Sequence, residues 1–264
     1  MIAVDLEGVH GVVGEEMKGL GSSPEEYEKA VEAATIEINA AASALFDNGA
    51  TDVYVWDNHG GKDNLDFSKI HSRVKKLEVD RSKPRMSFMK DYPFAGLLFI
   101  GYHAKEGTLG VLAHTYNSTQ NQYLKVNGKQ LGEFDFDACF AGEYGAPAIF
   151  AAGDDVFLAQ ALESCPTLAT VVTKYAKGRN AAEFRLRVDV EKEIYEKVKM
   201  AMKGNHRAIQ FTFPCQFEVR YTRMERAAHL LKTLEGQLPD LRYGEDSHVL
   251  QVTANGVADL KKFV

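Results

Sequence analysis

The stretch Ile2-Ala3-Val4-Asp5-Leu6-Glu7-Gly8 sets a short apolar run directly against two carboxylates and a glycine. The arrangement recurs twice. Val53-Tyr54-Val55-Trp56 runs into Asp57-Asn58-His59-Gly60, and Leu97-Leu98-Phe99-Ile100 runs into Gly101-Tyr102-His103-Ala104. Short apolar runs bounded by turn residues read as buried strands. In an open parallel sheet the carboxyl ends of neighbouring strands lie side by side and form the ligand crevice. Asp5, Glu7, His59 and His103 are therefore expected along one rim. Two carboxylates and two imidazoles brought together are a ligand set for a divalent transition metal, zinc foremost.

The intervening sequence supports a parallel sheet. Ser23-Pro24-Glu25-Glu26 supplies an N-cap, a proline at the first helical position and a capping-box glutamate. Tyr27, Val31, Ala34, Ile38 and Leu45 follow the helical period, and Asn48-Gly49 suits a left-handed cap. That helix makes the strands at 1–5 and 52–56 parallel. The unbroken apolar run at 96–100 reads as the central strand. Further strands are expected at 146–151, closing in Gly153-Asp154-Asp155, and at 169–173. A hairpin at 123–126 turns on Asn127-Gly128, with helices at 133–144 and 190–203. Gly204-Asn205 reads as a boundary between a metal-binding α/β domain, 1–204, and a small α+β unit, 205–264. The second has strands at 208–221 and 248–252 and a helix at 224–234. About 60 residues are marginal alone, so this unit is expected to pack on the first domain or on another subunit. The fold class is α/β: a doubly wound, mostly parallel sheet with a small C-terminal α+β unit.

The 264 residues are 45% apolar, enough for a full core. A net charge of -6 disfavours nucleic-acid binding. The basic run Lys75-Lys76, Arg81, Lys83, Arg85 lies in a loop-like stretch without interleaved aromatics and reads as a solvated face. No apolar run approaches the roughly 20 residues of a membrane span. The chain opens on a strand rather than a secretory signal. Cys139, Cys165 and Cys215 are widely spaced and read as buried thiols. A cytoplasmic location is expected.

Each candidate residue has a plainer role beside the functional one. Asp5 and Glu7 share one face of an extended chain and repel unless a cation or proton intervenes; otherwise they cap a strand. Gly8 and Gly11 suit close approach of backbone to a bound group. Gly8, Gly11 and Gly14 do not have dinucleotide-loop spacing. His59 is a ligand or a turn residue, with Asp57 orienting it or simply making the turn. His103 is a ligand or a histidine satisfied by a carbonyl. The turn from Gly107 to Gly110 can fold His114 back over the crevice, where an imidazole suits proton transfer. Glu133 opens a helix, where the dipole favours a carboxylate whatever its function. Asp135, Asp137, Glu143, Asp154 and Asp155 read as caps or solvated acids. His10, His71, His206, His229 and His248 read as structural or exposed, and Phe211, Phe213, Phe217 and Tyr221 as an inner sheet face.

Taken together, Val4-Asp5-Leu6-Glu7-Gly8, Asp57-Asn58-His59-Gly60, Gly101-Tyr102-His103-Ala104, Ala113-His114-Thr115, Asn127-Gly128 with Gly132-Glu133, and Gly153-Asp154-Asp155 resemble the zinc-dependent D-aminopeptidase family, self-compartmentalising peptidases of dipeptide-transport operons. The resemblance covers most of the chain and is least distinct in the C-terminal unit. It implies two zinc ions per subunit, with Asp5 bridging, Glu7 and His59 completing one site, and His103 and Glu133 the other. It implies a catalytic role for His114, short peptide substrates with N-terminal D-residues, and a ring-like decamer. Asn58 stands where many relatives carry a small hydroxyl residue, and Asp137 where asparagine is common; Asp137 could add charge near the site. Rival functions are a dinuclear phosphoesterase, for which the motifs offer only Lys62 and Lys105, a non-catalytic metal- or peptide-binding protein, and a metal-free structural role.

Overall fold

A computed structural model describes residues 1–61 and 63–264. Its main sheet contains β1 (Ile2–Val4), β2 (Tyr54–Asp57), β3 (Lys75–Lys76), β4 (Leu97–Tyr102), β7 (Ala148–Asp154), β8 (Ala169–Gly178) and β9 (Ala181–Phe184), in the order β3-β2-β1-β4-β7-β8-β9. Every pairing is parallel except β8–β9. The chain leaves β1 toward β2 on one side and returns as β4 on the other. This places the topological switch point, where open α/β sheets bind ligands, between β1 and β4.

A second, antiparallel sheet is ordered β11-β12-β10-β5-β6. It joins the hairpin β5 (Asn121–Val126) and β6 (Lys129–Leu131) to β10 (Cys215–Tyr221), β11 (Arg242–Tyr243) and β12 (Val249–Ala254). Residues on both sides of Gly204 thus build one sheet. Asn127 and Gly128 turn the hairpin with φ of 50° and 80°, the left-handed pair a tight hairpin needs.

Side-chain alternation assigns the faces. Ile2, Val4, Val55, Leu98 and Ile100 share a core with Ala34, Ile38 and Leu45 of α1 (Pro24–Asp47) and Val190, Ile194 and Val198 of α4 (Arg187–Ala201). Ala3, Trp56, Leu97 and Phe99 face a second core with α2 (Glu133–Gly142), α3 (Asp155–Ser164), the antiparallel sheet and α5 (Met224–Thr233). A short α6 (Val257–Leu260) follows β12. All six residues of β4 are buried, as its unbroken apolar run requires.

Local signals hold with shifts. Ser23 caps α1 by accepting from the Glu26 N–H, with Pro24 at the first helical position. The Glu26 carboxylate, expected to close a capping box, instead accepts from the Gly14 N–H at 3.2 Å. The strand expected from 208 begins only at Cys215, after Pro214, whose ring nitrogen has no proton to donate. Phe217 and Tyr221 face the core from β10, while Phe211 packs on Phe136 and Phe140 outside any strand. Antiparallel β9 was not anticipated, because 181–184 lacks a buried face. No helix among the described residues is long and apolar enough to cross a membrane.

Candidate metal centre

The carboxyl ends of β2, β1 and β4 lie adjacent. The Asp5 N–H donates to Ile100 O at 2.8 Å, and the Asn58 N–H to Val4 O at 2.9 Å. Asp5 and Glu7 follow β1, His59 follows β2, His103 follows β4, and Glu133 arrives as the first residue of α2. His59 Nδ1 lies 2.9 Å from Asp5 Oδ1 and 3.1 Å from Glu7 Oε2. His103 Nε2 lies 3.6 Å from Asp5 Oδ2 and 3.3 Å from Glu133 Oε1. Asp5, Glu7 and His103 present donor atoms within 4.8 Å of one another, as do His103, His114 and Glu133. All six residues expected at the crevice therefore meet there.

The polar accounting points to a cation. A carbonyl can only accept, so His103 Nδ1, 3.0 Å from Ala104 O, must donate. That leaves Nε2 aimed at the carboxylates, buried and without a partner in hydrogen-bond geometry among the described residues. A histidine with one nitrogen pinned to a carbonyl and the other turned into a carboxylate cluster is set up as a metal ligand. Burial disfavours a charged His103, but the pull of Glu133, Asp5 and Glu7 prevails and raises it to about 10. Burial likewise opposes charge on His59, yet Glu7 and Asp5 push it up to about 11. Burial works to raise the Glu7 and Glu133 carboxyls, and their histidine neighbours overcome it and lower both. The pocket holds three carboxylates and demands positive charge. Carboxylate oxygens with imidazole nitrogens are the donor set zinc takes in hydrolytic sites, and these residues fit it.

His114 sits across His103, rings stacked with centroids 4.0 Å apart. Its Nδ1 donates to Leu112 O at 2.9 Å, turning Nε2 toward Glu133 Oε1 at 3.7 Å. The loop carrying it is held by Val111 N–H on Asp154, Arg179 Nη1 on Ala113 O, and His114 N–H on Ala104 O. Leu112 and Tyr116 take φ of 51° and 59°, left-handed backbone that non-glycine residues adopt only when their surroundings impose it.

Gly8 and Gly101 make the approach of β1 and β4 possible. The Gly8 N–H donates to Gly101 O at 2.7 Å. A Cβ at Gly8 would lie 1.9 Å from Tyr102 O, and one at Gly101, whose φ is +73°, 2.1 Å from Asp5 O. Gly8 thus serves contact between chain segments.

Several supporting residues escaped the sequence reading. Among the described residues Asp57 makes no hydrogen bond to His59. It accepts from Asn64 Nδ2 at 2.7 Å and from the Asn64 and Leu65 N–H groups, while Asn64 Nδ2 also reaches His59 O at 2.7 Å. Tyr27 O–H in turn donates to Asn64. Arg85, expected on a solvated face, pairs with Asp137. The charge that Asp137 was expected to add is thereby neutralised. Lys174, just past the strand segment expected at 169–173, is fully buried beneath the Glu7 loop. Asp135 and Asp154 cap α2 and α3 as expected. Among the histidines set aside, His10, His206 and His248 each face a backbone carbonyl.

Comparison with known proteins places the chain in a family. A curated D-aminopeptidase from Bacillus subtilis (strain 168) is 29% identical over 213 residues, 81% of this chain and 77% of the relative. A solved structure described as the zinc-dependent D-aminopeptidase DppA from Bacillus subtilis, a self-compartmentalizing protease, superposes with a TM-score of 0.85. It covers 99% of this chain and 94% of its own at 24% identity. The sequence profile of the M55 peptidase family, described as D-aminopeptidase, matches residues 1–240. The chain is a hydrolase of that family: it belongs to the M55 D-aminopeptidases.

Proposed function

We propose that the protein is a zinc aminopeptidase acting on short peptides or aminoacyl amides, with preference for N-terminal D-residues. The observation that carries this reading is the convergence of Asp5, Glu7 and Glu133 on the buried Nε2 of His103, which has no hydrogen-bond partner among the described residues, at the sheet's switch point. Two zinc ions would be held by Asp5, Glu7 and His59 on one side and by Asp5, His103 and Glu133 on the other. When bound, zinc supplies a Lewis acid and lowers the pKa of a coordinated water toward neutrality. Proposed ligands and His114 all lie within 1–204, read as the catalytic part, with 205–264 as the small α+β part.

The chain's own residues supply the rest. The Leu112 carbonyl fixes the His114 ring so that Nε2 faces the cluster and can take a proton and return it to a leaving amine. The Tyr116 N–H donates to Glu133 Oε1 at 2.7 Å and holds that carboxylate toward His103. The self-compartmentalizing character of the Bacillus subtilis protease supports a homo-oligomer, which we assign as a ring-like decamer in the cytoplasm.

A phosphoesterase would need cations free to grip phosphate. The half-buried Arg85 and the buried Lys174 are committed to Asp137 and to backbone carbonyls. Lys62 lies outside the described residues, and Lys105 is half-buried. The test is metal analysis of the purified protein with a screen of D- and L-aminoacyl amides and dipeptides. Two zinc ions per chain, activity abolished by chelation, and His114→Ala that keeps its metal but loses turnover are expected. Loss of metal from His114→Ala would make it a ligand instead; unchanged peptides with zinc-loaded protein would favour a binding protein.

A further inference from the structure

Beneath the metal centre lies a buried cation that the proposed chemistry does not use. Lys174, on β8, has no exposed surface. Its ammonium donates to the carbonyl oxygens of Glu7 at 2.6 Å, Val9 at 2.8 Å and Val12 at 2.6 Å. A lysine ammonium has three N–H donors, and each meets a carbonyl. Next to it, Thr173 Oγ1 donates to Gly8 O at 2.6 Å. Glu37 accepts from the His10 N–H at 2.7 Å. The segment that delivers Glu7 has no regular structure of its own, and side chains from distant elements satisfy its backbone.

Three carbonyl dipoles aimed at one buried point repel unless a cation sits there, and an unpaired buried carbonyl is costly. The arrangement is the cage a monovalent ion would occupy, with the charge supplied covalently. β8 is separated from β1 by β4 and β7, so the contact ties together segments more than 160 residues apart.

We propose that Lys174 is a positioning residue for the metal centre, its ammonium acting as a built-in monovalent cation that fixes the Glu7–Val12 turn and with it the Glu7 carboxylate. The inference rests on the metal-centre reading above. Partners that orient metal ligands typically contribute 10–100-fold in metal affinity. Glu7 is assigned to one ion only, so the loss should be confined to that ion.

The experiment compares the wild-type chain with Lys174→Met, Lys174→Arg and Lys174→Ala. Zinc stoichiometry and stepwise affinity are measured by competition with a chromophoric chelator, and thermal stability on the metal-free proteins. Lys174→Met is expected to weaken one zinc ion roughly 10–100-fold and leave the other unchanged. Lys174→Ala should recover the weakened ion in ammonium salts, which can fill the cage, and not in tetramethylammonium salts, which are too large. Should Lys174→Met fail to fold, Lys174→Arg and ammonium-supplemented Lys174→Ala carry the same reading. Wild-type zinc affinities in Lys174→Met would overturn the inference. So would equal weakening of both ions that tracks thermal stability and does not respond to ammonium. Zinc binding by the wild type is the control: its failure removes the metal-centre reading, whereas failure in the variants alone removes only the role of Lys174.

Discussion

Arg85 grips Asp137 through two parallel bonds, Nε to Oδ1 at 2.5 Å and Nη2 to Oδ2 at 2.7 Å, and the pair ties together the segments that carry the ligands. Tyr102, beside His103, donates its O–H to Asp137 Oδ2 at 2.8 Å and accepts from Asn58 Nδ2, beside His59, at 2.8 Å. Asp137 lies one helical turn from Glu133 on α2. The guanidinium packs 5.0 Å from the Trp56 ring centroid and 4.7 Å from that of Tyr116. Removing one partner of a buried pair strands the other charge, at a cost of about 3–5 kcal/mol. Arg85→Met and Asp137→Asn should each destabilise on that order in urea unfolding. The double variant should cost well under the sum, because it leaves no orphaned charge. Additive losses would show that the pair is not coupled.

Metal binding should release protons. The carboxylate cluster raises His59 to about 11 and His103 to about 10, so both carry a proton at neutral pH that a metal must displace. Zinc affinity should therefore rise with pH, about tenfold per unit for each proton released. Calorimetry in buffers of different ionisation enthalpy counts those protons. Binding with no buffer dependence would contradict the assignment of both histidines.

Glu37 predicts a pH-dependent stability of opposite sense to the usual carboxylate. Burial raises its pKa from the ordinary 4.5 to about 7. The folded state then binds more protons than the unfolded one between those values, so stability falls as pH rises through that window. The full effect is about 3 kcal/mol above pH 7 and absent below the unfolded value. Glu37→Gln keeps an acceptor for the His10 N–H and removes the charge. Relative to wild type, the metal-free variant should melt several degrees higher at pH 8 and with little difference at pH 4.5. A gap that does not change with pH would rule this out.

Gly8→Ala should act on fold and site together. The added methyl would lie 1.9 Å from Tyr102 O, a backbone atom that cannot move without shifting β4. Overpacking of this kind costs about 1–3 kcal/mol. Because Glu7 precedes the displaced residue, zinc affinity should fall as well. Gly61→Ala, with nothing among the described residues within 4 Å of the added carbon apart from its chain neighbours, serves as the control. Near-wild-type melting and zinc binding in Gly8→Ala would refute the close contact.

The ends of β1, β2 and β4 were legible because each apolar run stops at a polar residue or a glycine, and a parallel sheet aligns such stops along one edge. His114 and Glu133 were less legible. Each has an equally good local explanation, a loop histidine and a helix-start carboxylate, and only the resemblance raised them before the geometry brought them to His103. Strand limits drifted by a few residues where the pattern of burial outran the pattern of hydrophobicity. Lys174, for instance, sits inside β8 as a buried charge.

Local sequence, then, carried the strand–helix order, the turn at Asn127-Gly128 and the identity of the acids and imidazoles on the rim, because propensity and periodicity act over a few neighbouring residues. It did not carry the Arg85–Asp137 pair, the Lys174 cage or the joining of β5 and β6 to β10. Those depend on which distant surfaces come into contact. A charged residue looks the same in sequence whether it ends in water or against a buried partner; the environment that decides its role exists only once the chain has closed around it.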